Sequence, residues 1–263
     1  MSLQIAVPVI GPSTAQVQDQ MNQAAKVADI IEIRADKFDQ RYPDLSHLMR
    51  TSKKPTIVTI RHPDESGETD CTKTYSGDEA DREQLYNRAI LAGATFIDRE
   101  LKYPINVAKR GTNLILSNHD YNQTPCAEVL QKRYNQAVSQ GADIVKFATK
   151  ANSIEDVITM LDFLRKAKRR VIGVNMSDEN AFLQSTDYNT LADYISQEGF
   201  PQIVDNLEQL GQHNLTLGGI SRILSPIFGS YLTFGSINKA TQSAPGQLDP
   251  EEIRNAYNLL LKQ

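Results

Sequence analysis

Eight short apolar segments rich in β-branched residues alternate along the chain with segments of helical periodicity, and this alternation limits the folds open to it. The predicted strands span residues 3–10, 30–36, 56–61, 96–101, 113–119, 144–149, 170–176 and 231–235. The predicted helices span residues 13–28, 79–92, 126–140, 153–167 and 251–261. Such alternation is typical of a parallel sheet covered by helices. Eight units predict a (β/α)8 barrel, the TIM barrel, whose active sites lie at the C-terminal ends of the strands.

An open, doubly wound sheet is the alternative architecture. Its nucleotide-binding versions carry a glycine-rich turn between the first strand and the first helix. Here that turn, residues 9–13, reads Val-Ile-Gly-Pro-Ser and offers no such phosphate cradle, so we favour the barrel. Residues 177–220 interrupt the alternation after the seventh strand, with helix-like pieces at 190–195 and 203–210. We therefore expect one barrel domain over residues 1–263, with an inserted segment at 177–220.

The composition of the chain indicates which binding partners and which cellular compartment to expect. The 263 residues carry 28 Lys and Arg against 32 Asp and Glu, so we expect neither nucleic acid nor a membrane as partner. Two cysteines are too few for a disulfide framework, and the four scattered histidines lack the spacing of a metal site. The first residues do not resemble a signal peptide, and no apolar run reaches the ~18–20 residues of a membrane span. These features predict a reduced, cytoplasmic protein.

Polar side chains lie at the ends of several predicted strands. Because parallel strands of a barrel end at the same mouth, we expect these side chains to converge there. Glu32 and Arg34 share one strand face by the two-residue period. Ordinary ion pairs, Glu32 with Arg34 and Arg61 with Glu65, are the structural alternative. In strand order the residues are Glu32 and Arg34, Arg61 with Glu65 in the following loop, Asp98 and Glu100, His119, and Lys146.

Lys146 and His119 carry the sharpest chemical prediction. Lys146 stands between apolar neighbours on a strand, and burial of its amine would lower the pKa and favour the neutral form that attacks a carbonyl. The alternative is a lysine on the outer strand face or in a structural ion pair. His119 ends the preceding strand and can both give and take a proton near neutral pH. By themselves these residues predict a barrel lyase or aldolase that works through an imine.

The motifs around both residues resemble those of the type I 3-dehydroquinate dehydratases. Residues 117–121 (Ser-Asn-His-Asp-Tyr), with Gln-Thr-Pro at 123–125, are similar to the family's histidine signature. Residues 97–101 resemble its fourth-strand part, with Arg99 where an apolar residue is more usual. Residues 141–146 resemble the Schiff-base segment. Further similarities, in the family's order, are residues 32–36, residues 59–61 with Glu65, residues 218–222 (Gly-Gly-Ile-Ser-Arg) with 228–230, and residues 243–247 (Ser-Ala-Pro-Gly-Gln).

The resemblance implies reversible dehydration of 3-dehydroquinate to 3-dehydroshikimate, a shikimate-pathway reaction, by a homodimer that needs no metal or organic cofactor. Lys146 would form a Schiff base with the substrate ketone, His119 would transfer protons, and Glu65 would hold and tune His119. Whether the reaction serves aromatic biosynthesis or quinate breakdown stays open. The implied substrate-binding residues are Arg222 for the carboxylate, Glu32, Arg34 and Arg61 for the ring hydroxyls, and Ser243 and Gln247 in a lid over the substrate.

Two other functions remain alternatives at this point. A class I aldolase also uses an imine-forming lysine in a barrel, but it usually acts on a phosphorylated sugar and needs a phosphate site near strands seven and eight. A non-catalytic barrel could merely bind a hydroxylated acid. The presence of both Lys146 and His119 argues against simple binding, because binding requires neither.

Overall fold

The computed structural model describes residues 2–67, 75–103, 108–210, 214–238, 242–244 and 246–262. Within them, eight parallel strands form one sheet in the order β7-β6-β5-β4-β3-β2-β1-β8. The amide of Tyr231, just before β8, donates to the carbonyl of Val171 in β7 at 2.7 Å, which nearly closes the sheet into a barrel. The predicted (β/α)8 fold is confirmed. The strands are β1 (Ile5–Val9), β2 (Ile30–Arg34), β3 (Thr56–Thr59), β4 (Phe96–Glu100), β5 (Asn113–Asp120), β6 (Ile144–Lys150), β7 (Val171–Met176) and β8 (Thr233–Phe234).

The helices cover the outside of this barrel. Those predicted from periodicity appear within a few residues of the expected bounds as α1, α3, α4, α5 and α9, whereas α2 and α8 were not predicted. Within the described residues, no helix combines the length and the apolar character that a membrane crossing requires. The helices are α1 (Thr14–Ala24), α2 (Leu45–Thr51), α3 (Glu79–Leu91), α4 (Ala127–Ser139), α5 (Ile154–Lys166), α6 (Ser185–Gln197), α7 (Pro201–Leu210), α8 (Leu217–Leu224) and α9 (Pro250–Leu261).

The strands are buried on both faces, and successive side chains separate into two apolar clusters. One cluster fills the barrel interior and includes Ile115 and Ile144. The other lies between strands and helices and includes Val145 and Phe147. Because side chains alternate with a period of two, residues that follow Ile144 by two and four positions also point inward. Lys146 therefore shares the inner face, as do residues at the corresponding positions of the neighbouring strands.

The predicted helix-like pieces at 190–195 and 203–210 are confirmed as parts of α6 and α7, which lie between β7 and α8. Buried residues of both helices, such as Leu191 and Ile203, join the outer apolar cluster of the barrel. The helices contact the barrel's own helices α5 and α9. An antiparallel bridge between Phe182 and Thr216 brings the chain back beside the point where it left. Residues 211–213 of this segment lie outside the described residues.

Candidate active site

A small cavity opens at the C-terminal end of the strands. Eight of the nine predicted site residues line it, and the ninth, Glu65, contacts His119 behind the cavity wall. Its volume is about 40 Å³, a few times the ~10–15 Å³ of such space that one water molecule requires. The lining residues are Glu32, Arg34, Arg61, His119, Tyr121, Lys146, Ala148, Val174, Met176, Arg222, Phe234, Ser243, Ala244 and Gln247.

Lys146 lies on the inner face of β6 and is only 5% exposed. Its Nζ donates to Oδ2 of Asp98 at 2.6 Å and lies 3.9 Å from Oε1 of Glu32. The same Nζ lies 4.5 Å from the centroid of the Phe234 ring. The outer-face alternative for this lysine is therefore wrong. The amine is ion-paired, yet it stands at the cavity wall, where a ligand carbonyl can reach it.

Asp98, a residue to which the sequence assigns no role, is the anion that holds Lys146. Its other oxygen, Oδ1, accepts from Ser117 at 2.6 Å and from Arg61 at 3.2 Å. Burial would raise the pKa of Asp98, but the charges of Arg61 and Lys146 outweigh burial and lower it. Asp98 is thus a permanent anion at neutral pH. The signal that could have identified it is its inward position on β4, two strands from Lys146.

His119, at the end of β5, is held by Glu65 from the short 3-10 helix Pro63–Glu65. Oε2 of Glu65 accepts from the backbone amide of His119 at 3.0 Å and lies 3.2 Å from its Nδ1. A proton on Nδ1 satisfies this contact and leaves Nε2 as the ring atom that can accept a proton. Burial, together with Arg61 and Lys146, lowers the pKa of His119 well below its usual value. Burial raises the pKa of Glu65 to about 7.

Arg34 and Arg61 do not form the ion pairs with Glu32 and Glu65 that were the structural alternative. Arg34 makes a two-pronged pair with Asp36, at 3.0 and 2.7 Å, rather than an ion pair with Glu32. Arg61 binds Asp98 and Glu100 rather than Glu65. The second carboxylate oxygen of Glu100 is bonded to Arg82, which reaches in from α3. Arg34 and Arg61 are therefore cations held rigidly in a network of buried charges.

Arg222 projects from α8 on the opposite side of the cavity. Its Nη1 donates to the carbonyls of Asn175 and Gly218, both at 2.8 Å. Burial lowers the pKa of Arg222 to about 9, so an anionic group bound beside it would favour the charged form. The predicted lid lies beside it: Gln247 donates to Ser243 Oγ at 3.2 Å and accepts from the Ser243 amide at 2.9 Å. Pro245 of the lid motif lies outside the described residues.

A larger cavity of about 1060 Å³ lies on the far side of the lid, between α9 and the segment that contains α6 and α7. Among the nine predicted site residues, only Gln247 reaches its wall. Size alone would favour this cavity. The predicted nucleophile, the predicted proton-transfer group and the arginines predicted to bind substrate all line the smaller cavity, which is therefore the candidate active site.

Comparisons with known proteins point to one family. A model of the family described as type I 3-dehydroquinase matches residues 5–181 and 215–263. The match omits residues 182–214, the stretch that holds α6 and α7. A 3-dehydroquinate dehydratase of Alkaliphilus oremlandii is 32% identical over 98% of this chain and 92% of its own length. One of Methanocaldococcus jannaschii is 29% identical over 97% of this chain and 98% of its own.

Solved structures of similar proteins share the fold. A 3-dehydroquinate dehydratase from Geobacillus kaustophilus superposes with a TM-score of 0.75 at 24% identity, covering 99% of this chain and 91% of that one. A type I 3-dehydroquinate dehydratase from Clostridium difficile, with covalent modified comenic acid, superposes with a TM-score of 0.71 at 25% identity. That superposition covers 98% of this chain and 92% of the other.

Proposed function

Because the chain belongs to the type I 3-dehydroquinase family, we propose that it converts 3-dehydroquinate to 3-dehydroshikimate through a Schiff base on Lys146. The observation that carries this proposal is the convergence of Lys146, His119 and Arg222 on one buried cavity. A lysine, a neutral histidine and a desolvated cation are the groups required for imine formation, proton transfer and carboxylate binding. The reaction is a carbon–oxygen hydro-lyase step of the shikimate pathway.

The first step is attack of the neutral Lys146 amine on the C3 ketone of the substrate. The proton that Lys146 shares with Asp98 has to leave before this attack. His119 enters the step with its ring neutral, because burial keeps its pKa low, so Nε2 can accept a proton. Loss of water from the carbinolamine then yields a protonated imine between Nζ and C3.

The second step is elimination. A protonated imine is a better electron sink than a ketone, so the C2–H bond next to it becomes more acidic. His119 takes the C2 proton, electrons move into the imine, and the resulting enamine expels the C1 hydroxyl as His119 returns the proton to form water. Hydrolysis of the conjugated imine releases the product and restores Lys146. Glu65 keeps the proton of His119 on Nδ1, so that Nε2 remains the transferring atom.

The remaining predicted residues bind and orient the ring. Arg222 pairs with the C1 carboxylate through its planar guanidinium. Glu32, Arg34 and Arg61 hold the ring hydroxyls, and their buried ion pairs keep them in place before the substrate arrives. Ser243 and Gln247 close the cavity from the lid. Holding substrate and lysine in one orientation removes much of the entropic cost of the bimolecular step.

Reductive trapping tests the mechanism. The enzyme is incubated with 3-dehydroquinate and borohydride, and the labelled peptide is identified by mass spectrometry, alongside an ultraviolet assay for the conjugated enone product. We expect turnover, inactivation by borohydride only with substrate present, and one label on Lys146. Lys146→Ala should neither label nor turn over. Full activity in that variant, or a label on another residue, would overturn the mechanism.

Lys150 provides the matched control. It lies four residues further along β6 and pairs with Asp178 at 3.0 Å. Lys150→Ala should label and turn over like the wild type, which shows that the site and not the strand determines the reaction. The same assay separates the alternatives: a class I aldolase would label only with its own sugar, and a binding protein would not label.

We further propose that residues 1–263 form one catalytic barrel in which residues 177–220 are an inserted segment, that the enzyme is a homodimer, and that it works in the cytoplasm. The first statement is supported by the burial of α6 and α7 in the barrel's outer apolar cluster. The other two rest on the family resemblance and, for the compartment, on the two cysteines of the sequence. Light scattering in solution tests the dimer.

A further inference from the structure

Asn175 is a buried polar residue of β7 that faces away from the cavity. Its neighbours Val174 and Met176 line the cavity, so the strand alternation directs the Asn175 side chain outward, toward the helices. It is 0% exposed. A buried amide loses its contacts with water and is tolerated only when protein groups replace them.

The protein supplies those partners for every donor and acceptor of the Asn175 side chain. Nδ2 donates to Thr124 Oγ1 at 2.9 Å and to Thr149 Oγ1 at 3.1 Å. Oδ1 accepts from Ser221 Oγ at 2.9 Å, and that hydroxyl accepts in turn from the Asn175 backbone amide at 2.9 Å. The Asn175 carbonyl accepts from Arg222 Nη1 at 2.8 Å. All three side-chain partners are hydroxyl groups, and together they contact both ends of the amide.

These bonds join α8 to the barrel at one point. Thr149 belongs to β6, Thr124 to the loop before α4, and Ser221 to α8, next to Arg222 in sequence. The chain itself does not define this junction, because α6 and α7 intervene between β7 and α8. A long excursion lets its ends meet in many arrangements. The Asn175–Ser221 pair fixes one of them, together with the Phe182–Thr216 bridge and the bond from the Gly218 amide to Ser177 Oγ at 2.9 Å.

The Arg222 guanidinium is closely packed, so it has little room to move. A side-chain Cβ at Gly218 would lie 3.0 Å from Arg222 Nη1 and 3.0 Å from Ser177 Oγ. A Cβ at Gly246 of the lid would lie 3.2 Å from the Gly218 Cα and 3.3 Å from Arg222 Nη1. Backbone of α8 and of the lid therefore packs directly against the guanidinium. A shift of α8 of a few tenths of an ångström would change where Arg222 points.

We infer that Asn175 is a positioning residue that fixes α8 on the barrel through Ser221 and thereby holds Arg222 where it binds the substrate carboxylate. The inference rests on the proposed function, since it assigns Asn175 to the carboxylate-binding step of that reaction. It also explains how the site tolerates the long segment between β7 and α8. The junction is made by neutral hydrogen bonds across the fold rather than by a short connecting loop.

The test is a comparison of KM and kcat in Asn175→Ala and Ser221→Ala, with 3-dehydroquinate as substrate. A misplaced guanidinium loses charge-assisted hydrogen bonds to the carboxylate, and such bonds contribute about 10- to 100-fold in binding. We expect KM to rise about 10- to 100-fold in both variants, while kcat at saturating substrate changes less than about 3-fold. Borohydride should still label Lys146 at saturating substrate. A fall in kcat with unchanged KM would overturn the inference.

A double-mutant cycle separates positioning from general loss of structure. The readout is the 3-dehydroquinate concentration that gives half-maximal borohydride labelling of Lys146. If Asn175 acts through Arg222, Asn175→Ala should change this concentration less than about 3-fold when Arg222 is already Ala. Labelling is the readout because it requires no turnover. Additive effects of the two substitutions would show that Asn175 acts elsewhere and would overturn the inference.

Thr112→Val is the matched control. Thr112 is buried and donates to the Ala94 carbonyl at 2.8 Å, at the opposite end of the barrel from the cavity. The variant also loses a buried hydrogen bond, so its stability should fall, while its KM should stay at the wild-type value. If Asn175→Ala does not fold, Asn175→Ser and Ser221→Ala carry the same comparison. Failure of the wild type to turn over 3-dehydroquinate contradicts the proposed function, whereas normal KM in these variants contradicts only the role of Asn175.

Discussion

The two sides of the cavity hold their functional side chains by different physical means. On the strand side, Lys146 and His119 project from β6 and β5: an ion pair with Asp98 holds the lysine, and hydrogen bonds with Glu65 hold the histidine. On the helix side, Arg222 projects from α8 and is held by backbone carbonyls at 2.8 Å. Removal of Asp98 leaves buried cations without their counter-charge, which is costly in an interior of low dielectric. Breaking the helix side only misdirects one cation.

This difference predicts which kinetic and thermodynamic quantity each side controls. In the proposed mechanism the groups of the strand side carry the reaction, and Arg222 contacts a part of the substrate that does not react. The strand side should therefore determine kcat, and its buried ion pairs with Asp98 should determine the free energy of unfolding. The helix side should determine KM. Variants on the two sides, each compared with a control elsewhere in the chain, test the distinction.

The largest effect is expected for His119→Ala. Loss of a general acid and base typically lowers the rate by ~10²–10⁴-fold, so kcat should fall by that factor with little change in KM. Because the nucleophile is a different residue, borohydride should still label Lys146 slowly. His47→Ala, a change of a histidine on α2 outside the cavity, should leave kcat unchanged. More than about a tenth of wild-type kcat in His119→Ala would contradict the assignment.

Asp98→Asn should lower the free energy of unfolding by about 3 kcal/mol, because Lys146 and Arg61 lose a shared buried counter-charge. Urea denaturation measures this. The pKa of Asp98 is lowered in the folded state, so the pairing stabilises above the unfolded pKa of ~3.9 and is lost as pH falls. The difference between variant and wild type should therefore shrink below about pH 4.

The control for this variant is Asp162→Asn on the exterior of α5. Asp162 pairs with Lys166 one helical turn away at 2.7 Å, and the lysine side chain is 71% exposed. An exposed pair of this kind contributes about 0.5 kcal/mol or less. Equal losses in the two variants would show that the charges of the strand side are not specially important for stability.

Arg222→Lys tests the helix side. Lysine keeps the charge but not the planar two-pronged contact, and charge-assisted hydrogen bonds contribute about 1.5–3 kcal/mol. We expect KM to rise about 10- to 100-fold while kcat and the unfolding midpoint change little. The same substitution at Arg254, which pairs with Asp29 on the surface at 2.7 Å, should leave KM unchanged. A drop in kcat without a change in KM would show that Arg222 acts in the chemical step rather than in substrate binding.

Glu65→Gln should change stability in the direction opposite to Asp98→Asn, with a distinctive pH dependence. Burial raises the pKa of Glu65 to about 7. An acid with a raised folded pKa stabilises least above that pKa, so the variant should be more stable than the wild type by roughly 2 kcal/mol at pH 8, and the gain should vanish below about pH 4.5. Catalytically, the acid limb of the wild-type kcat/KM profile should shift, because Glu65 and His119 titrate as a coupled pair. An identical acid limb in both proteins would remove Glu65 from the proton-transfer step.

Local pattern predicted the strands better than the helices. Each of the eight strands was predicted because its apolar, β-branched residues are buried on both faces, which leaves a continuous signal. The helix α2 was missed because it has only seven residues, too few for a periodic pattern, and depends on burial of Leu45 and Leu48. The helix α8 was missed because it begins with a leucine and two glycines, which are poor helix formers when adjacent. Tertiary packing overrides that preference.

The amino-acid sequence by itself predicted the eight-stranded barrel and the meeting of Lys146 and His119 at one mouth, because the parallel strands of a barrel end on the same side. Only the tertiary structure decided which partner the buried cations take: Asp98 for Lys146, and Asp98 with Glu100 for Arg61. It also brought Arg222 to the carbonyl of Asn175, 47 residues away. Pairing across such separations depends on how the elements pack, and packing is a property of the whole fold rather than of any local pattern.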